Sequence, residues 1–102
     1  MAGKKLKWSP RSRREVNKIF RFFYKRNGNN DYSRKLALEF KNTAKRIEFN
    51  ENTGELIENN KGLVIRFVIV ADNYKLIYRI EKEHNIVVTV WDARRNPDDL
   101  EL

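Results

Sequence analysis

The chain has no cysteine, a single histidine (His84), two prolines and four glycines among 102 residues. Without cysteine there are no disulfides, no thiolate metal sites and no cysteine nucleophile. A lone imidazole makes a metal centre only with a cluster of carboxylates around it; Glu81 and Glu83 alone flank His84, and no metal site is expected. No cofactor is expected. No apolar run approaches the roughly 20 residues of a membrane span, and the opening Met-Ala-Gly-Lys-Lys-Leu-Lys-Trp lacks the apolar core of a signal peptide. The expectation is one soluble, cytoplasmic domain over residues 1–102, with enough chain for a single core.

What the chain does have is positive charge, unevenly placed. Residues 1–50 carry 15 Lys/Arg against 4 Asp/Glu, a balance of +11; residues 51–102 carry 7 against 10, a balance of −3. A basic half of this kind points to nucleic acid, an acidic protein or another anionic surface as partner. Lys4 to Trp8 alternates and predicts a short strand. Ser9-Pro10 then starts a helix that runs to about Arg26, with Val16, Ile19, Phe20 and Phe23 as its apolar stripe. Ser12 with Glu15 offers a second capping box. Phe22 falls off the stripe and is a candidate partner contact. Asn27-Gly28-Asn29-Asn30 ends this helix, and Asp31 is expected to cap another from Tyr32 to about Ile47, buried through Leu36, Phe40, Ala44 and Ile47. So short a link makes the pair an antiparallel hairpin. Residues 50–62 are polar and turn-rich, with Leu56-Ile57 as a tether.

From Leu63 to Pro97 three β-branched and aromatic runs are separated by turn clusters at Asp72-Asn73 and Lys82 to Asn85, the pattern of three antiparallel strands. A two-residue turn at Asp72-Asn73 would set Ala71 opposite Tyr74 and Arg66 opposite Arg79. It would then gather Ile65, Phe67 and Ile69 with Leu76, Tyr78 and Ile80 on one apolar face. The other face would hold Arg66, Lys75 and Arg79, rimmed by Arg94 and Arg95, as a cationic working surface for a carboxylate or phosphate. The third strand is left with two parities, Val87-Thr89-Trp91 or Ile86-Val88-Val90 inward, and the polarity of Thr89 favours the second. Trp8 and Trp91 are expected to be packing residues.

Strand, helical hairpin, polar loop and three strands ending in a basic turn resembles the RelE/ParE family of bacterial type II toxins. The likeness is carried by Tyr74-Lys75-Leu76-Ile77-Tyr78-Arg79-Ile80, similar to the family's YxxxYR-type strand. Val90-Trp91-Asp92-Ala93-Arg94-Arg95-Asn96-Pro97 is similar to its closing motif. The resemblance implies an α+β fold: an N-terminal strand and an antiparallel helical hairpin packed on one face of a twisted, mainly antiparallel four-stranded sheet. It implies a cognate acidic antitoxin, bound in a hetero-oligomer, that wraps the toxin with a helix and an extended segment. It also implies one of two targets. RelE-like members cut mRNA in the ribosomal A site, whereas ParE-like members inhibit DNA gyrase. A ribosome-dependent mRNA endonuclease is the first expectation, gyrase inhibition or a degenerate antitoxin-binding member the alternatives.

Cleavage by an attacking 2′-hydroxyl needs cations at the phosphate, a base and an acid. Arg66, Arg79 and Arg94 are the candidate cations, joined by Arg95 and Lys75 in binding RNA or antitoxin, and Asp92 is the candidate base. The nuclease pattern is incomplete here. Val70 stands where RelE-like enzymes carry an arginine, and Asn96 to Leu102 contain no tyrosine or histidine. His84 reads as a surface residue, and pairing with Arg94 or Arg95 is the favoured reading of Asp92 over the role of base.

Overall fold

A computed structural model describes residues 3–59 and 61–102. The first strand, β1 (Leu6–Trp8), leads into α1 (Pro10–Asn27). Ser9 caps α1 by accepting from the Ser12 N–H at 3.1 Å, and Pro10 fills the first helical position, where its missing N–H costs nothing. The expected second capping box does not form. Ser12 turns its hydroxyl back to the Ser9 carbonyl, and Glu15 is used elsewhere. Gly28 closes the helix at φ 73°, its N–H on the Tyr24 carbonyl. In α2 (Asp31–Phe49) the cap position belongs to Asn30 rather than Asp31. Asp31 lies in the first turn, where its charge faces the positive end of the helix.

Five strands, not four, form the sheet, in the order β1-β5-β4-β3-β2. The additional one is β2 (Glu55–Ile57), the expected tether, which pairs antiparallel with Ile65–Phe67 of β3 (Ile65–Val70). Next come β4 (Tyr74–Arg79) and β5 (Asn85–Asp92), both antiparallel to their predecessors, while β1 runs parallel to β5 through Asn85–Val87. The fold is therefore α+β, two helices on one face of a mixed sheet.

The β3–β4 register differs from the expected one by one residue. Val70 pairs with Tyr74, and Arg66 with Tyr78. The turn takes three residues, with Ala71 and Asp72 both in left-handed conformation at φ 52° and 63°. A one-residue slip exchanges the two faces of a strand. Val68, Val70, Tyr74, Leu76 and Tyr78 now meet the helices in one cluster with Leu36, Phe40 and Ile47. Ile65, Phe67 and Ile77 turn to the opposite face with Trp91. Two effects favour this outcome. It packs two tyrosines and a leucine against the hairpin, and it removes two guanidinium groups from directly opposed positions.

In β5 neither expected parity holds. Ile77 pairs with Thr89 but Tyr78 with Val87, so Val88 is an extra residue in a bulge. Val87 and Val90 both reach the helix-side cluster, and Trp91 the other one. Past Val87, β5 loses β1 as a neighbour, and the start of α1 takes over. The Ser9 hydroxyl donates to the Val88 carbonyl, and the Glu15 carboxylate accepts from the Val90 N–H at 3.0 Å and from the Thr89 hydroxyl at 2.7 Å. A side chain here does the work of a missing strand.

Tyr78 ties the 50–55 loop to the sheet. Its buried hydroxyl donates to the Glu51 carbonyl at 2.6 Å and accepts from the Gly54 N–H at 3.1 Å. Tyr78→Phe should therefore strand two backbone groups and lower stability by about 1–3 kcal/mol. Urea unfolding with an unchanged slope is the measurement, and an unaltered midpoint would show that the loop is held by other means.

Candidate functional site

The cationic working surface expected on one face of the sheet does not assemble. Arg66 lies on the helix side, where its Nη1 donates to the Gly54 carbonyl at 2.7 Å while its buried Nε has no partner among the described residues. Arg79 lies on the opposite face and is held by Glu81, with Nε and Nη2 both 2.8 Å from the same carboxylate oxygen. Arg79 and the Asp92 turn also sit at opposite ends of β4, about 17 Å apart at ~3.3 Å per residue. The physical reason is the register: a pattern placing Arg66 and Arg79 together is one residue out of step with the strands.

A different subset does come together. A groove of about 380 Å³ lies between α1 and the end of β5, lined by Glu15, Lys18, Ile19 and Phe22 from α1, Tyr74 and Val90 from the sheet, and Asp92, Arg94 and Arg95. Of the expected site residues, Asp92, Arg94, Arg95 and Phe22 meet here. Lys75 stands next door, opposite Trp91 in the β4–β5 ladder. It lies on the far face, with its ammonium 4.6 Å from the Phe67 ring centre, while Arg95 stacks at 4.3 Å on Trp91 and so reaches both sides of the sheet edge. Phe22, 57% exposed, forms one wall of the groove.

Glu15, Lys18 and Tyr74 are not among the site residues expected from the sequence. Glu15, Lys18, Ile19 and Phe22 do follow the i, i+3, i+4, i+7 spacing of one helix face, which is the signal that could have found them. It is masked because a mixed charged and apolar stripe reads as a solvated flank.

The charges in the groove are largely spoken for. Asp92 is clamped by Arg94 through three bonds: Arg94 Nε and backbone N–H to Oδ1, each at 2.9 Å, and Nη2 to Oδ2 at 2.8 Å. This clamp holds the Asp92 carboxyl below the ordinary carboxylate range. Burial, with some help from Asp92, pushes the Tyr74 phenol above its ordinary value. Burial does the same for Tyr78, whose hydroxyl is already bonded to the chain. Glu15 is occupied by Thr89 and Val90. Among the described residues Lys18 and Arg95 make no ion pair, which leaves them available to an anion. His84 sits at the surface 3.9 Å from Glu81. No three His, Asp or Glu side chains gather as a metal would require among the described residues, and no helix there is long and apolar enough to cross a membrane.

The clamp makes a pH prediction. A carboxyl whose folded pKa is depressed takes up its proton at higher pH when unfolded, so its contribution is present above the unfolded value and lost as pH falls through the folded one. Wild type should thus exceed Asp92→Asn in thermal stability at about pH 6, with the gap closing below about pH 4. A gap independent of pH would show that the clamp contributes nothing through charge.

Comparison with known proteins bears on the same region. The family model described as the ParE toxin of type II toxin-antitoxin system, parDE, matches residues 6–97. Among curated proteins no match is found. The matched span takes in both helices, all five strands and every residue of the groove. The chain belongs to the ParE toxin family of type II toxin–antitoxin systems.

Proposed function

We propose that this toxin acts by binding its target as a ParE-like inhibitor of DNA gyrase, and that it does not cut mRNA. The observation that carries this reading is the Asp92–Arg94 clamp. A general base must be free to take a proton and poised near the working pH, and a chelated carboxyl with a lowered pKa meets neither condition. The remaining groups of the groove support the same conclusion. The Glu15 carboxylate is consumed by backbone and Thr89, and the Tyr74 ring is buried in the core. The candidate phosphate-gripping arginines are divided between two faces, with Arg79 neutralised by Glu81. In-line transfer has no acid–base pair to use.

What the groove offers instead is a place to hold a protein. Ile19, Phe22 and Val90 line it with apolar surface, and Lys18 and Arg95, which make no ion pair among the described residues, stand beside them. That combination accepts an apolar side chain flanked by a carboxylate, an anchor with a charged rim. The antitoxin expected of a type II toxin must silence this surface or one coupled to it.

The deciding experiment runs two assays on the same purified protein. Gyrase supercoiling should be inhibited, and toe-printing of translated mRNA should show no A-site cleavage at doses that arrest growth. Unaffected gyrase together with cleavage would return the toxin to the nuclease branch. Within the inhibitor reading, Phe22→Ala should weaken inhibition by at least about tenfold, the typical loss for truncating a buried aromatic anchor, with folding unchanged.

A further inference from the structure

Helix α1 carries seven Lys or Arg and a single acid in its 18 residues. Four of the cations, Arg14, Lys18, Arg21 and Lys25, follow the spacing i, i+4, i+7, i+11, which sets them in one row along the helix. The row lies opposite the stripe of Val16, Ile19, Phe20 and Phe23 that packs on the core, and all four of its residues are exposed. None of the four makes an ion pair among the described residues. The one acid, Glu15, is turned to Thr89 and Val90 and pairs with Arg11 on the flank.

This arrangement works against the helix that carries it. Cations three or four residues apart repel one another. Arg11, Arg13 and Arg14 stand at the start of the helix, where the first turn has no acid and the positive end of the dipole disfavours them. Helix α2 is built otherwise. Asp31 opens it, Glu39 and Glu48 are interspersed with its cations, and Leu38 and Phe49 are exposed on its outer side. A solvated surface is served best by both signs of charge, as in α2. Charges of one sign that oppose their own helix mark a face shaped by something outside the molecule.

We propose that the outer row of α1 binds the phosphate backbone of duplex DNA without regard to sequence. Three features select that occupant. The row extends about 16 Å at 1.5 Å per residue, a length that spans about five phosphates of one strand along a duplex. No apolar side chain stands in the row, so it lacks the anchor that a protein interface or a bilayer surface requires. No aromatic ring stands in it either, and single strands are held by stacking on such rings. What remains is a straight, regular line of charge, which fits a regular polyphosphate. Only Lys18 of the row also lines the groove, so DNA binding on this face does not depend on which target the toxin has.

The test is fluorescence anisotropy of a labelled DNA duplex of mixed sequence, titrated with the full chain over a range of salt concentrations. Wild type should bind, with affinity falling steeply as salt rises. Arg14→Gln with Arg21→Gln and Lys25→Gln should weaken binding at least about tenfold at low salt and reduce the slope of log affinity against log salt by about three. Removing the same charge at the exposed Lys5, Lys7 and Lys82, each changed to Gln, should alter the slope by less than about one. Arg14→Lys with Arg21→Lys should bind as wild type does, because the charge is kept. Circular dichroism checks the fold, and Arg21→Gln alone, expected to take about one from the slope, carries the test if the triple variant unfolds. Absence of DNA binding, equal losses in the two triple variants, or tighter binding to duplex RNA, single-stranded RNA or anionic-lipid vesicles than to duplex DNA would each overturn the proposal.

Discussion

The structure depends on the pairing of β3 with β4, set by a turn one residue longer than Asp72-Asn73 suggests. With Ala71 and Asp72 both in left-handed conformation, the chain accepts local strain in exchange for the correct face of each strand. Tyr74, Leu76 and Tyr78 then lie against Leu36, Phe40 and Ile47, and the hairpin of helices has a surface to rest on. The same step decides the electrostatics. It parts Arg66 from Arg79, giving one to the Gly54 carbonyl and the other to Glu81.

Once the faces are assigned, most charges near the sheet find partners inside the molecule. Glu51 shows the pattern: its carboxyl is held below the ordinary range by a bond from Asn85 and by Lys4, which knits the 50–55 loop to the first and last strands. Glu15 completes the edge of β5, and Asp92 fixes the turn that carries Arg94 and Arg95. Glu15, Glu51 and Asp92 are thus employed in holding the shape of the molecule. The surplus positive charge remains on the outer sides of α1 and α2 and at the groove, where it can steer an acidic partner.

The elements with strong local signals were legible in the sequence. Ser9-Pro10 and Gly28 bound the first helix because capping is a matter of a few neighbouring atoms. The stripes of both helices follow from spacing alone. What could not be read were events decided by distant parts of the chain. Turn length depends on which face the helices will cover, and the Val88 bulge on where α1 begins. The strand at Glu55–Ile57 was hidden because its edge position leaves it mostly polar surroundings. For the site the same distinction applies. Asp92, Arg94 and Arg95 are close in sequence and were found together. Arg66 and Arg79 were grouped with them only through the register, and so left with it. Lys18 and Glu15 belong to the groove through the packing of α1 on β5, a contact between residues more than seventy positions apart.

The parallel pairing of β1 with β5 has a bearing on how the toxin is made. Residues 6–8 find their partner only at residues 85–87, so the opening strand waits while nearly the whole chain leaves the ribosome. Until then the groove lacks a wall, since Val90, Asp92, Arg94 and Arg95 have not been translated. The groove is thus a property of the finished fold, complete only after residues 85–95 have been made. An antitoxin already present has the full interval of synthesis in which to be waiting.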